Sequence, residues 1–191
     1  MHPTRILILK RAPKVFADHG YAGASTRSIA DSCDVNIGTL AYHFGNKQGV
    51  YEAVLDQIYA AILRELSIEP NGHTTAERVR NVVTNLYRMG VSRRNSVRIL
   101  LRHVMTEGEL PTHVQNQWSP LIIEAASTLF EKLGLGSDDD HRMALLSINH
   151  LIARYAVSEP QTMTPFTDGD PVDSTAAHIG EVAVKLLNLD R

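Results

Sequence analysis

The chain contains one cysteine, Cys33, so an internal disulfide framework is excluded and there is no cysteine pair to hold zinc. Long apolar runs are missing as well. None approaches the roughly 20 residues that a membrane-spanning helix needs. The Ile6–Leu9 stretch turns basic at once, too short for the apolar part of a signal peptide, so a soluble, cytoplasmic protein with no membrane partner is expected. Alternating apolar and polar runs rich in β-branched residues are nearly absent, and no sheet is expected. Catalytic signatures are also absent: there is no GxSxG, no P-loop, no glycine-rich dinucleotide turn and no acidic pair spaced with a histidine ligand. His141, His150 and His178 form no HxxxH or HxxxE pair. These gaps argue against an enzyme, a metal site and a cofactor.

What the chain does have is helical periodicity. Its 191 residues are 43% hydrophobic, enough for one core, or one core with a small satellite. Val79, Val82, Val83, Leu86 and Tyr87 follow the i, i+3, i+4, i+7, i+8 pattern of an amphipathic helix, and Ile179, Val182, Ala183, Leu186 and Leu187 repeat it. Similar stripes run through Val50–Leu66, Val97–Met105, Leu121–Leu133 and Met143–Tyr155. His19-Gly20, Pro70-Asn71-Gly72 and Gly134-Leu135-Gly136 read as helix ends, and Ser137 with Asp138–Asp140 as the cap and acidic first turn of a later helix. Four prolines and glycines between 159 and 173 predict a long loop before the last helix. The expectation is an all-α protein of about nine helices.

Charge is unevenly distributed. Residues 1–50 hold six basic and three acidic side chains, a net of +3, whereas the remainder holds 13 basic and 18 acidic, a net of −5. A basic head on an acidic body points to a polyanionic partner for the head.

That head carries the informative motif. Ser25 or Thr26 can cap a short helix that turns Ile29, Ala30 and Cys33 inward; a turn at Cys33-Asp34 follows, and Val35 docks. Asn36 can cap a second short helix with Leu40 and Phe44 facing the core, which leaves Ile37, Gly38, Thr39, Tyr42 and His43 on other faces. Two short helices, a tight turn and a basic exit at Lys47 fit a helix-turn-helix. The hydroxyls of Thr39 and Tyr42 and the polar groups of Asn36 and His43 suit phosphates or base edges, and Gly38 permits close backbone approach. Thr26, Arg27, Asn36, Ile37, Gly38, Thr39, Tyr42, His43 and Lys47 are therefore the expected contacts to double-stranded DNA, although Lys47 taken alone also fits a solvated helix cap.

The stretch FADHGYAGASTRSIADSCDVNIGTLAYHFGNKQGVY resembles the TetR family of bacterial regulators over roughly residues 7–56. It departs from the family pattern at position 41, where the usual tyrosine is alanine and Tyr42 stands beside it. Pro13 is a second departure. In mid-helix it removes the bond to Leu9 at a cost of about 3 kcal/mol, so it either kinks the first helix or starts it, with the residues before it partly a basic arm. The resemblance implies a three-helix DNA-binding domain, residues 1–48, followed by a ligand-binding and dimerisation domain, residues 49–191. It further implies a homodimer whose last two long helices pair with their copies through Leu146, Ile152, Ile179, Val182 and Leu186. A repressor released from a palindromic operator by a small molecule is the function it implies. The alternative is a helical ligand-binding or adaptor protein without DNA binding.

Three other features are open to two readings. Tyr87, Arg102, His103, Trp118 and His150 punctuate apolar helices in the mixture that ligand pockets use, so they are the expected ligand contacts, although Tyr87 and Trp118 also fit a core. Arg94, Arg98 and Arg102 form a stripe, either a solvated face paired with Glu107 or Glu109 or an anion site. Cys33, among apolar neighbours, reads as an inert buried thiol rather than a redox sensor.

Overall fold

The computed structural model describes residues 2–135 and 139–189, and among these it contains helices and no strand. Eleven α-helices follow in order: α1 Pro3–Gly23, α2 Thr26–Cys33, α3 Ile37–Phe44, α4 Lys47–Leu66, α5 Thr75–Ser92, α6 Arg94–Glu107, α7 Thr112–Gln117, α8 Ser119–Leu133, α9 Asp139–Ala156, α10 Pro160–Met163 and α11 Pro171–Leu186. The expected helices are present, with α7 and α10 as additions to the nine. The stretch 159–173, expected to be a loop, instead holds α10, a 3-10 turn at Thr164–Phe166 and the start of α11. Its prolines explain this: Pro160 and Pro171 occupy first-turn positions, where no N–H is needed. The expected cap at Ser137 and Asp138 lies outside the described residues.

Two compact units are formed. One contains the residues up to Ala60 together with Asn95–Ser119; the other contains Ala61–Arg94 and the residues from Pro120 onward. These units follow packing, whereas the expected division at residue 48 is one of function.

In the first unit α1 packs on α2 and α2 on α3. Ile8, Phe16, Ile29, Leu40, Val50, Val54, Leu55 and Ile58 are almost wholly buried. Pro13 sits inside α1 with helical backbone angles, so neither a basic arm nor a proline-initiated helix is formed; the break falls seven residues later, at Gly20 (φ 71°, ψ 172°). Position 20 needs the left-handed region that glycine enters without a Cβ penalty. Its open side is filled by Arg102 of α6, whose guanidinium would lie 3.0 Å from a Cβ placed there.

In the second unit α5, α9 and α11 pack on one another. Val79, Val83 and Tyr87 of α5 meet Ile148 of α9 and Ile179, Ala183 and Val184 of α11 in one core. Thr74 and Glu77 close a capping box at the start of α5: the threonine hydroxyl accepts from the Glu77 N–H at 3.1 Å, and the carboxylate accepts from the Thr74 N–H at 3.3 Å. Gly90 lets α5 approach α9, since an added Cβ would stand 3.0 Å from that of Ala156. Arg80–Glu181 (2.6 Å) and Arg88–Asp173 (2.7 Å) tie α5 to α11 on the exposed edge.

Candidate nucleic-acid interface

The local chemistry of residues 24–49 explains why a short helix is held outward here. Ser25 and Ser28 cap each other across α2, each hydroxyl accepting from the other's backbone N–H at 3.0 Å. Helix α2 ends at Asp34, which adopts φ 56°, ψ 44°, a left-handed conformation that aspartate tolerates better than most residues. The N–H groups of Asp34 and Val35 both return to the Ala30 carbonyl, which fixes the turn with backbone alone. Asn36 then starts α3: its Oδ1 accepts from the Thr39 N–H at 2.7 Å and from the Thr39 hydroxyl at 3.0 Å. Leu40 is fully buried beneath α3, a burial that contributes about 1.5–3 kcal/mol. Phe44 is only half-buried and carries the Arg5 guanidinium 5.1 Å over its ring.

The opposite face of α3 is bare. Tyr42 is 85% exposed and Ile37 43%, with Gly38 and Ala41 exposed between them, while Thr39 and His43 are half-buried beside them. Arg27 is exposed on α2, and Thr26 is half-buried. The Tyr42 ring meets the adjacent His43 ring edge-on at 5.1 Å and is otherwise turned to solvent.

Lys47 is placed differently from the expectation. Its ammonium donates to the carbonyls of Tyr21 (2.8 Å) and Ala24 (3.0 Å) and lies 4.3 Å over the Tyr21 ring. It thereby satisfies carbonyls at the end of α1 and fastens α4 there. Three further residues belong to the interface region and were not read from the sequence. His2 caps α1 through Nδ1 and stands 4.8 Å from the His43 ring, and Arg5 covers Phe44, so the start of α1 borders α3. Gly49 lies where an added Cβ would overlap the Phe44 carbonyl oxygen. Arg5 could be counted in the sequence as charge, but nothing local marks which helix it meets.

Behind α3 the rings of Phe16, Tyr21 and Tyr51 pack together, with Phe16–Tyr51 at 5.2 Å and Tyr21–Tyr51 at 4.9 Å. Burial, aided by Tyr21, pushes the Tyr51 phenol up to about 12.

The five residues expected to meet a ligand are divided between the two units. In the first, Trp118 donates to Asp56 Oδ1 at 2.7 Å and stacks near Tyr59, His103 meets the Tyr51 hydroxyl at 3.4 Å, and Arg102 lies against Gly20. In the second, Tyr87 is 3% exposed in the core, where burial raises its phenol, and His150 is exposed on α9. Two arginines of the stripe are paired, but not with Glu107 or Glu109: Arg94 meets Glu159 at 2.9 Å and Arg98 lies 3.7 Å from Asp18. Cys33 is buried.

Among the expected dimer residues, Leu146 (47%) and Leu186 (41%) are exposed and Ile152 and Val182 half-buried. Ile179 corrects the expectation. It is 0% exposed within its own chain and belongs to the core shared by α5, α9 and α11, so it has no surface to offer a second copy.

Two capped short helices, a backbone-fixed turn between them and an outward face of Ile37, Gly38, Ala41 and Tyr42 define a helix-turn-helix. Residues 8–54 match the family model described as bacterial regulatory proteins, tetR family. Over these residues the chain is similar to the TetR family. It is 38% identical over 55 residues to the HTH-type transcriptional regulator UidR of Escherichia coli K12, covering 29% of this chain and 28% of that protein. The chain thus spans little more than a quarter of that relative's length. Similarity to the HTH-type regulator YvkB of Bacillus subtilis runs further, at 26% identity over 78% of this chain and 80% of that one. A tetR-family regulatory protein from Rhodococcus RHA1 shares the fold at a TM-score of 0.75, with 21% identity and 98% of each chain covered. Among the described residues, no helix is long and apolar enough to cross a membrane.

Proposed function

We propose that the chain is a homodimeric, cytoplasmic transcriptional regulator, a repressor that leaves a palindromic operator when a small molecule binds. The observation that supports this best is the bare α3 face, with Tyr42 85% exposed on a helix whose other side is anchored by Leu40. In this reading Ile37, Gly38, Thr39 and Tyr42 meet base edges, Thr26, Arg27 and His43 the flanking backbone, and Asn36 holds the start of the helix. Residues 1–48 are then the DNA-binding part and 49–191 the regulatory part. The sign of regulation is supported by likeness to a repressor, NicS of Pseudomonas putida, 38% identical over 58 residues. Leu146, Ile152, Val182 and Leu186 are the residues through which α9 and α11 meet their copies.

The effector is a small, largely apolar molecule. Its place is supported by a cavity of about 280 Å³ in the second unit, walled by Leu63, Leu66, Leu121 and Ala125, with Thr128 and Lys132 as polar partners.

The test is selection from randomised duplexes followed by a salt titration. With roughly 6 to 10 phosphates contacted per dimer, affinity falls about 10³- to 10⁵-fold between 50 and 200 mM salt. Tyr42→Phe and Thr39→Ala weaken the selected site while leaving the melting temperature unchanged. A flat salt response, or no enriched duplex, would refute the reading.

A further inference from the structure

The first unit holds a second cavity, of about 350 Å³, that the expected site residues do not account for except through His103. Three rings are among its lining residues: Tyr21 and Tyr51 stand 4.9 Å apart, and His103 is 6.4 Å from Tyr51. Tyr51 is 4% exposed, yet its hydroxyl meets His103 Nδ1 only at 3.4 Å, the long limit of a hydrogen bond. Three carboxylates, Glu52, Glu107 and Glu109, also line the cavity; no lysine or arginine does, and of its two histidines His113 is held 2.7 Å from Asp56 Oδ1. Glu52 is positioned by Gln48, which donates to it at 2.8 Å, and Glu109 accepts from Gln115 at 3.4 Å, so neither is neutralised by an ion pair there. The neighbouring cation, Lys47, is tied to the Tyr21 and Ala24 carbonyls and lies over the Tyr21 ring.

A cavity lined by both aromatic rings and carboxylates selects for one ligand chemistry. Aromatic faces attract a weakly hydrated cation through their quadrupole, and carboxylates fix its sign. An anion meets three like charges, and a neutral apolar molecule gains nothing from the carboxylates. We infer that this cavity is a binding site for a small organic monocation, a substituted ammonium with an apolar body, its charge between Glu52, Glu107 and Glu109 and its body against Tyr51 and Tyr21. The site goes beyond the apolar effector of the second unit and lies in the unit that carries α3. Its lining comes from the end of α1, the first turns of α4, the end of α6 and the segment Glu109–His113, so a bound cation joins the helix that follows the recognition helix to one outside the helix-turn-helix.

The experiment is calorimetric titration of the full chain with benzyltrimethylammonium at fixed ionic strength, with benzyl alcohol, benzoate and magnesium chloride as parallel titrants. No DNA is present, so failure here leaves the reading as a DNA-binding regulator standing, and failure of that reading leaves the cavity testable. Saturable one-to-one binding of the ammonium alone is the expected result. Glu107→Gln and Glu109→Gln, both at exposed positions, together with Glu52→Gln should weaken it by about tenfold or more without changing the melting temperature. Tyr51→Leu should weaken it too, and Tyr51→Phe, which keeps the ring, should retain it. Equal binding of benzyl alcohol, a thermogram reproduced by magnesium, or a triple glutamine variant that binds as well as the parent would each overturn the assignment.

Discussion

Lys47 and Tyr21 are joined twice over: the ammonium donates to the tyrosine's own carbonyl at 2.8 Å and lies 4.3 Å above its ring. Two different roles for this lysine make different predictions. A phosphate-contacting lysine contributes about 0.9 to the slope of log affinity against log salt. A lysine held on Tyr21 and Ala24 contributes nothing to that slope and instead holds α4 to the end of α1. Lys47→Ala should therefore lower the melting temperature and the operator affinity while leaving the salt slope as it was. A slope smaller by about 0.9 per subunit would return Lys47 to the phosphate.

Gly49 makes a sharper demand on the same junction. A Cβ at position 49 would overlap the Phe44 carbonyl oxygen, and a backbone atom cannot swing aside as a side chain can. Gly49→Ala should cost about 1–3 kcal/mol or more, the range for forcing atoms into a filled site. Urea denaturation measures it. Gly45→Ala is the control for space alone, because nothing lies within 4 Å of a Cβ there, although its φ of 76° retains a backbone penalty.

Two residues of one helix should separate assembly from folding. Leu186 is 41% exposed and Ile179 wholly buried, both on α11. Leu186→Glu should take the protein in sedimentation from twice 21.1 kDa to 21.1 kDa with its monomer fold intact. Ile179→Ala should instead lower stability by about 2–5 kcal/mol, the usual cost of hollowing a core. If Leu186→Glu remains dimeric, α11 is not the contact.

Alkaline pH should loosen the first unit. Burial pushes the phenols of Tyr51 and Tyr59 up to about 12, and Tyr21 and Tyr51 respectively add to it. Both are acids with a raised folded value, so their contribution to stability is fully present below the unfolded value of about 10 and is lost as pH climbs through 12. Tyrosinate absorbance should show Tyr51, Tyr59 and the buried Tyr87 titrating late, together with the loss of helical signal. Ionisation of these three near 10 with helix retained would contradict the burial.

What was legible in the sequence was local. Ser25, Asn36, Leu40 and the turn at Cys33-Asp34 follow from capping chemistry and spacing within a few residues, and the structure has them as expected. Pro13 shows the limit. Proline announces a break by its own chemistry, but α1 runs on through position 13 and breaks at Gly20, where His19-Gly20 marks a helix end; what no local signal shows is that Arg102, some eighty residues away, fills the space there. Long-range partners have no local signal: the arginines of α6 meet Asp18 and Glu159 rather than the nearby glutamates, and Lys47 turns inward. An apolar stripe is likewise silent about what covers it. Ile179 and Leu186 occupy one such stripe, and only the position of α5 and α9 makes the first core and the second surface.

The turn at Asp34 has a consequence for how this protein can change. The angle between α2 and α3 is held by main-chain bonds to the Ala30 carbonyl and by caps at Ser25 and Asn36, none of which involves Ile37, Ala41 or Tyr42. Those three side chains can be exchanged without disturbing the frame that presents them. On the proposed reading, sequence preference is separable from foldability in this domain, so libraries randomised at 37, 41 and 42 should stay folded while the duplexes they select diverge.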